Sequence, residues 1–512
     1  MRKNKKKDHM QELNNPAKSA HVKKKRKKKY VKARRLGKFL VFLQTILTLV
    51  FLGLVYILNV LPIKYLAALA ATLFVLWLIV KTSQKRAKKR GVLGKLLSLA
   101  VIGILGIGIY YVGVINGAFN RLIGGTHKID TMAVVVLKED VADGIEDTKY
   151  YNFGVQYLVG GDDTRAAINA INEELGVTIE HETYADMYEQ IEALYNKEVN
   201  AIIYNEGYRD MLLEEVEGFG EKTKVIYTYE IKKELEETEN VSVDVLNSTF
   251  NIYLSGIDVY GDITKTSRSD VNIIATVNPQ THQILLTTTP RDMYMIFPNV
   301  TDGLKDKLTH AGIYGVDTSI AALENFYSTE IPFYARVNFT SIIEIVDKLG
   351  GIDVYSEYAF TTVDGVKVDK GINSFNGEQA LSFARERKNV PDGDNQRGKN
   401  QQAVIVAMIR KMLSPQMLIN ATGIINSVSD NMETNMSELQ IQELIKKQLN
   451  DGGAWNIYSV AAEGTPAYAY TYSMPNREVY VTEPSVNSIE NIQNLMERVK
   501  NGEILEDSEI AE

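Results

Sequence analysis

Three long apolar runs lie near the start of the chain, before any regular alternation of apolar and polar residues begins. Residues 39–61 carry no charge, residues 63–80 carry only Lys64, and residues 93–119 carry only Lys95. A helix needs about 20 apolar residues to cross a bilayer. Because no small-residue cleavage site follows the first run, we expect three retained transmembrane helices within residues 39–119.

Basic residues flank these runs and predict how the chain crosses the membrane. Residues 1–38 hold 17 Lys or Arg against two acidic residues, and residues 81–90 hold six more. Since cytoplasmic flanks carry the excess of Lys and Arg, the N-terminal tail and the 81–90 loop are predicted to be cytoplasmic. Three crossings would carry the rest of the chain outside, where residues 119–512 hold 32 basic against 62 acidic residues. We therefore expect a multi-pass cell-membrane protein with a large extracellular C-terminal region.

After residue 131 the pattern changes to short apolar runs that alternate with amphipathic stretches. This alternation predicts a small α/β accessory domain over residues 131–240, with a parallel sheet. It has no glycine-rich phosphate loop and no cluster of catalytic residue types, so binding or spacing is its expected role. Residues 232–240 (KKELEETEN) are interpreted as a linker, with a solvated helix as the alternative.

A larger α/β domain with a central mixed sheet is predicted for residues 241–490, followed by a C-terminal tail at 491–512. Residues 250–255, 271–278 and 283–289 have the composition of strands, and the turn Asn278-Pro279-Gln280-Thr281 predicts a hairpin between the second and third. Helices are expected at 340–349, from Gly377, and at 394–413.

Charged residues stand where these three strands end. Asp258 follows the first strand, Arg268 and Asp270 precede the second, and Arg291 and Asp292 follow the third. If neighbouring strands are antiparallel, all five gather at one sheet edge, where they could bind a divalent cation and a phosphate. On strand positions alone, surface salt bridges between loop ends are the simpler interpretation.

The segment 376–402 adds a second group of polar residues. Arg385 and Arg387 can face the same site only if the chain is extended between them, so the helix should end near Ala384. Asp394, Arg397 and Gln401 would share one face of the next helix.

The start of that next helix has two interpretations. Asp394 is a good N-cap candidate, and a polar helix N-terminus favours a nearby anion. Arg397 could instead simply pair with Asp394.

Six segments resemble, in order, the conserved blocks of LytR-CpsA-Psr domains, and they cover most of residues 248–490: SGIDVYG, SRSDVNIIATVNPQTHQILLTTTPRD, KLTHAGIYG, NFTSIIEIVDKLGGIDV, NGEQALSFARERKNVPDGDNQRGKNQQ and YSMPNREVYVTEPSVNSI. The three spans and the accessory domain are similar to the CpsA/Wzg/EpsA branch, which accompanies capsule and exopolysaccharide genes. One departure is Asn400, where many members have a basic residue; only a peripheral contact is affected.

The resemblance implies a membrane-anchored phosphotransferase that moves a polyprenyl pyrophosphate-linked capsular or exopolysaccharide onto peptidoglycan, with a possible pyrophosphatase side activity. The lipid would lie in an apolar tunnel under the sheet, Mg²⁺ would assist, and other polysaccharide assembly proteins are possible partners. The implied catalytic residues are Arg268, Arg291, Arg385, Arg387 and Asp394. The implied pyrophosphate-binding residues are Arg268, Arg291, Arg385, Arg387, Arg397 and Gln401. The implied metal ligands are Asp258 and Asp270.

Other chemistries are excluded or less well supported. The chain has no Cys, which excludes disulfides, thiolate metal sites and a cysteine nucleophile. His310 is interpreted as a packed structural histidine. The alternatives to a transferase are a membrane-bound transcriptional regulator of polysaccharide biosynthesis and a non-catalytic assembly scaffold. Nonspecific DNA binding by the basic tail is less favoured than contact with anionic lipid, because the tail lacks a helix-turn-helix pattern.

Overall fold

The computed structural model describes residues 16–85, 91–122, 127–234, 242–257, 263–391, 393–414 and 432–506. The chain divides into two compact units, residues 1–117 with 445–450, and residues 118–444 with 451–512. We call the first the N-terminal unit and the second the C-terminal unit.

The N-terminal unit is built on three long helices, as the apolar runs predict. They are α1 (Pro16–Ile57), α2 (Ile63–Lys85) and α3 (Val92–Leu122). The segments Val31–Ile57, Ile63–Ser83 and Val92–Ala118 are long and apolar enough to cross a membrane. Polar contacts between the described parts of the helices include a hydrogen bond from Trp77 to Thr45 at 2.8 Å and one from Ser98 to Gln44 at 2.9 Å. The predicted cytoplasmic loop falls partly on residues 86–90, outside the described residues.

The C-terminal unit begins with a five-stranded sheet of order β3-β2-β4-β1-β5. Its strands are β1 (His127–Leu137), β2 (Asn152–Gln156), β3 (Glu180–Tyr184), β4 (Ala201–Asn205) and β5 (Thr223–Glu234). Its helices are α4 (Gly161–Leu175), α5 (Met187–Tyr195), α6 (Arg209–Glu215) and α7 (Phe219–Lys222). β2 runs parallel to β3 and β4, but β1 is antiparallel to β4 and β5. The predicted parallel sheet is therefore wrong, because the long strand β1, which lies between β4 and β5, runs in the opposite direction to both.

A six-stranded mixed sheet of order β16-β11-β6-β7-β8-β17 forms the centre of the larger part. Its strands are β6 (Phe250–Ile257), β7 (Ser269–Asn278), β8 (Gln283–Thr288), β11 (Phe333–Asn338), β16 (Met432–Thr434) and β17 (Asn456–Ala461). β6, β7 and β8 are antiparallel neighbours, whereas β6 with β11 and β8 with β17 are parallel pairs. This topology confirms the mixed sheet and the predicted hairpin.

Smaller strands and helices complete this part of the unit. The strands are β9 (Tyr294–Ile296), β10 (Lys305–Lys307), β12 (Ile352–Ser356), β13 (Phe360–Thr361), β14 (Lys367–Val368), β15 (Gly371–Phe375), β18 (Gly464–Thr471) and β19 (Met474–Pro484). The helices are α8 (Leu308–Tyr314), α9 (Val316–Tyr327), α10 (Phe339–Lys348), α11 (Gly377–Arg385), α12 (Gly393–Met412), α13 (Glu438–Asp451) and α14 (Val486–Lys500).

Alternate residues of β7 bury their side chains in two different cores. Ile274 packs into a core with residues of α8, α9 and α14, such as Leu323 and Ile492. Ile273 points to the opposite face of the sheet, because successive strand residues alternate, and joins a core with Leu286 and residues of α12. The mixed sheet is thus covered by helices on both faces.

The five-stranded sheet and the larger part share a core rather than being joined only through a linker. Leu212 of α6 and Tyr208 belong to one buried cluster with Ile313 of α8 and Val481 of β19. The backbone N–H of Ile129 also donates to the carbonyl of Thr264 at 2.9 Å. This shared core brings α6 next to the ends of the mixed sheet's strands.

Two predicted boundaries of the C-terminal unit change. Residues 232–234 of the predicted linker belong to β5, and residues 235–241 lie outside the described residues. The predicted C-terminal tail from residue 491 is wrong, because α14 continues to Lys500 and buries Ile492, Leu495 and Val499. A helical repeat of apolar residues in 486–500 explains this packing.

Candidate functional site

Four of the predicted residues meet at one edge of the mixed sheet. Arg268 and Asp270 stand at the start of β7, and Arg291 follows β8 and Pro290. Because β7 and β8 are antiparallel, the start of one lies beside the end of the other. Arg291 Nη1 donates to both carboxylate oxygens of Asp270, at 3.2 Å each. The expected gathering of charged residues at this edge is therefore observed for these three and for Asp292, whose Oδ2 lies 3.6 Å from Arg291 Nε.

Asp270 is the buried anion that holds this group together. Its side chain is 9% exposed, and its Oδ1 also accepts a hydrogen bond from Thr309 at 3.0 Å. Burial alone would raise the pKa of this carboxyl, but the charges of Arg291, Arg268 and Arg397 hold the pKa well below its usual range. Asp270 is thus a fixed negative charge that orients Arg291.

Arg268 is more deeply buried than the arginine of a surface salt bridge would be. Its side chain is 4% exposed, and its Nη1 donates to Glu214 at 3.1 Å. Its Nη2 lies 3.6 Å from Asp210. Among the described residues, its Nε–H has no hydrogen-bond partner, which leaves a buried donor to be satisfied. The interpretation as exposed loop salt bridges does not fit this burial.

Arg385 and Arg387 reach one cavity because α11 ends between them. α11 ends at Arg385, and Glu386 has extended backbone angles. The Glu386 carboxylate accepts hydrogen bonds from the backbone N–H groups of Val363, Lys388 and Asn389, which stabilises the extended turn. Both arginines line the same cavity, as the sequence predicted.

Helix α12 supplies the opposite wall, and its start differs from the prediction. Arg397 and Gln401 line the cavity. α12 begins at Gly393, so Asp394 lies in the first turn rather than at the N-cap, and its side chain is outside the described part of the structure. Asn400 is buried and donates to the carbonyl of Phe383 at 3.3 Å, so it joins α12 to α11.

The cavity has a volume of about 310 Å³ and combines a cationic group with an apolar wall. The arginines lining it are Arg268, Arg291, Arg385, Arg387 and Arg397. The apolar wall is formed by Ile257, Val271, Phe339, Ile342, Leu381, Val404 and Ile405. The Arg385 guanidinium lies 4.5 Å from the ring centre of Phe339, so the two surfaces meet at this pair. Such a cavity suits an amphiphilic ligand with an anionic head.

Helix α6 brings to this cavity acidic residues that were not predicted from the sequence. Asp210 and Glu214 line it together with Leu213. Glu214 accepts hydrogen bonds from Arg268 and Arg291, at 3.1 and 3.2 Å. Burial alone would raise the pKa of Glu214, but the neighbouring charges of Arg268 and Arg291 lower it to about 2. No local signal marks this role, since the contact depends on how the two sheets pack.

Only one of the two predicted metal ligands is described. Asp258 lies in 258–262, outside the described residues, and the described residues contain no group of three His, Cys, Asp or Glu that could hold a metal ion. Asp270 fits one ligand position: it is ionised, lines the cavity, and its Oδ2 accepts from Arg291 with lone-pair capacity left. Mg²⁺ needs few protein carboxylates when substrate phosphates complete its coordination.

His310 is a packed structural residue, as predicted. It is 1% exposed, and its Nδ1 lies 2.7 Å from Asp306 and 3.2 Å from Ser473 Oγ. Tyr208 packs against its ring. Asp306 and Ser473 are also buried, so this group stabilises the junction between the two sheets.

The model of the LytR_cpsA_psr family matches residues 219–497. This chain belongs to the LytR-CpsA-Psr family. Within the family, it is 34% identical over 247 residues to the polyisoprenyl-teichoic acid–peptidoglycan teichoic acid transferase TagU of Enterococcus faecalis. The aligned region covers 47% of the chain and 80% of that relative. TagU of Bacillus anthracis is 34% identical over 213 residues, covering 41% of the chain and 69% of the relative. Among solved structures, TagV of Bacillus subtilis matches with 26% identity and a TM-score of 0.43, over 51% of the chain and 99% of TagV.

Proposed function

We propose that this LytR-CpsA-Psr protein transfers a capsular or exopolysaccharide from a polyprenyl pyrophosphate carrier to peptidoglycan at the outer face of the cell membrane. The observation that carries the proposal is the cavity in which five arginines face an apolar wall. A pyrophosphate needs fixed positive charge, and a polyprenyl chain needs an apolar surface. The two TagU relatives are named as polyisoprenyl-teichoic acid–peptidoglycan teichoic acid transferases, which supports a polyprenyl-linked donor and a peptidoglycan acceptor.

In this proposal the arginines bind and orient the pyrophosphate. An acceptor hydroxyl attacks the phosphorus next to the sugar, a new phosphorus–oxygen bond forms, and the bond to the bridging oxygen breaks. Polyprenyl phosphate leaves with the negative charge that develops on that oxygen. Arg291 is held by Asp270 and therefore needs no reorganisation to stabilise this charge. Attack by water in place of the acceptor would give the pyrophosphatase side activity.

The proton of the attacking hydroxyl needs an acceptor. Asp270 is a poor base, because its pKa lies far below neutrality and general bases work best with a pKa near the operating pH. Asp394 is therefore the favoured candidate among the predicted carboxylates.

We further propose that Mg²⁺ assists, held by Asp258 and Asp270. The ion would neutralise charge on the phosphate oxygens. The ionised carboxylate of Asp270, which lines the cavity with both oxygens held by hydrogen bonds, supports this assignment.

The test uses the full-length protein in detergent with labelled lipid-linked glycan and wall fragments. We expect magnesium-dependent transfer of label to the wall fragments, with release of polyprenyl phosphate. Binding of the lipid without any transfer, under conditions where the protein is folded, would favour the scaffold instead.

A further inference from the structure

The carboxylate of Glu214, which α6 carries, lies in the arginine cavity. Glu214 Oε2 accepts from Arg268 at 3.1 Å and Oε1 accepts from Arg291 at 3.2 Å. Arg387 Nη1 lies 3.8 Å from the same Oε1. One carboxylate thus meets three guanidiniums that come from three different segments. This is the arrangement in which arginines bind a phosphate group.

Glu214 and Asp270 both accept hydrogen bonds from Arg291, but their side chains differ in exposure. The Asp270 side chain is 9% exposed, whereas the Glu214 side chain is 29% exposed. Glu214 is therefore the more solvent-accessible of the two carboxylates that contact Arg291. A phosphate that enters the cavity would meet the same guanidinium groups.

A phosphate and the Glu214 carboxylate cannot share these arginines without cost. Two negative charges held on the same guanidinium groups repel each other, and the repulsion is stronger in a partly buried site than in bulk water. The low pKa of Glu214, about 2, keeps the carboxylate ionised at neutral pH. Binding of an anion therefore requires Glu214 to leave.

Glu214 can leave while α6 stays in place. Met211 and Leu212 of the same helix are buried, and Glu215 accepts a hydrogen bond from Lys307 at 2.9 Å. These contacts hold α6 on the rest of the unit. Only the partly exposed Glu214 side chain has to rotate, which is a small and fast movement.

We propose that Glu214 is an internal competitor of the substrate: its carboxylate occupies a phosphate position between Arg268 and Arg291, and a phosphate-bearing ligand displaces it. The inference rests on the proposed function, because it takes the arginine cavity as the place where substrate phosphates bind. It assigns the accessory domain a direct part in selecting ligands. A ligand with two phosphates gains enough contacts to displace Glu214, whereas a weakly charged anion does not.

The test measures binding of inorganic pyrophosphate to the full-length protein in detergent by calorimetry. If the carboxylate fills the position about nine-tenths of the time, its removal tightens the apparent affinity roughly tenfold. We expect this gain for Glu214→Gln, and for Glu214→Ala as an independent removal of the charge. Glu217→Gln is the matched control: it makes the same change in net charge, and Glu217 is exposed and outside the described residues that line the cavity.

Arg291→Ala separates the possible outcomes. Tighter binding by both Glu214 variants, no change in Glu217→Gln and weaker binding in Arg291→Ala would support the inference. Weaker or unchanged binding in the Glu214 variants, with a loss in Arg291→Ala, would overturn the inference and leave the proposed function standing, since Glu214 would then position the arginines. Pyrophosphate binding that does not depend on Arg291, or no binding by any variant, would overturn both.

Discussion

Arg291 is the residue for which the proposed reaction predicts the clearest loss of turnover on substitution. Pro290 restricts the backbone that leads to it, and Asp270 holds its guanidinium. Removal of a comparable preorganised donor costs on the order of 100-fold to 1,000-fold in rate. We expect Arg291→Ala to lose turnover on this scale while lipid binding falls much less, because the apolar wall and four other arginines remain.

Arg291→Lys is the informative companion to that variant. Lysine keeps the positive charge but loses the planar fork that reaches Asp270 and a phosphate together. We expect poor rescue of the transfer rate, with circular dichroism confirming the fold of both variants. Near wild-type transfer by Arg291→Ala would mean that the site is not catalytic.

Asp270 should matter for stability as well as for magnesium. Its removal leaves two buried arginines, Arg268 and Arg291, without their innermost counter-charge, and breaking a buried pair from one side costs roughly 3 kcal/mol or more. We expect Asp270→Asn to lower the thermal midpoint and to shift the magnesium dependence of transfer to higher concentrations. A magnesium titration identical to that of the wild type would exclude Asp270 as a ligand.

The residues of the site were predictable where their spacing along the chain fixes their direction. Arg385 and Arg387 share a cavity only if the helix ends between them, and α11 ends there. Glu214 was not predictable, because α6 looks like any short amphipathic helix until its partners in the packed structure are known. The N-cap position predicted for Asp394 was wrong for a different reason. The sequence does not fix the first residue of a helix, and α12 begins one residue earlier than predicted, at Gly393.

At the scale of elements, α6 gives the contact between the two parts of the C-terminal unit a defined pH dependence. Glu214 has its pKa lowered from 4.5 to about 2 by Arg268 and Arg291. A carboxyl with a lowered pKa in the folded state contributes stability that is present above its unfolded pKa. This contribution is lost as the pH falls from about 4.5 towards about 2.

The comparison of wild type with Glu214→Gln isolates this contribution from other acidic groups. We expect the wild type to have the higher thermal midpoint at pH 6, and the difference between the two proteins to shrink as the pH falls below about 4.5. Midpoints measured across this range check the prediction. A difference that stays constant down to pH 2 would mean that the charge of Glu214 does not stabilise the fold.

Strands and helices were predictable from the sequence wherever the pattern is local. β6, β7 and β8 follow from segments with the composition of strands, and the hairpin between the last two follows from one turn. The direction of β1 did not follow, because the side-chain pattern of a strand is the same in both directions. The role of α14 was missed for a different reason: its apolar repeat is visible, but only the packed sheet shows what it covers.

At the scale of the whole molecule, the proposed reaction requires the cavity to face the outside of the cell. Three helices are long enough to span a membrane, and the flanking basic residues predict a cytoplasmic N-terminus. The chain has no Cys, so one introduced cysteine can be labelled without background. We expect a membrane-impermeant maleimide to label Lys370→Cys in intact protoplasts, since Lys370 is exposed in the C-terminal unit.

Lys88→Cys, in the basic loop between the second and third apolar runs, is the matched control on the other side. It should stay unlabelled in intact protoplasts and become labelled after permeabilisation, because an odd number of spans separates it from the C-terminal unit. The reverse pattern would place the arginine cavity in the cytoplasm. A peptidoglycan acceptor could not reach it there, and the proposed substrate would have to be abandoned together with the topology. Labelling of both positions in intact protoplasts would show instead that the third helix does not cross the membrane.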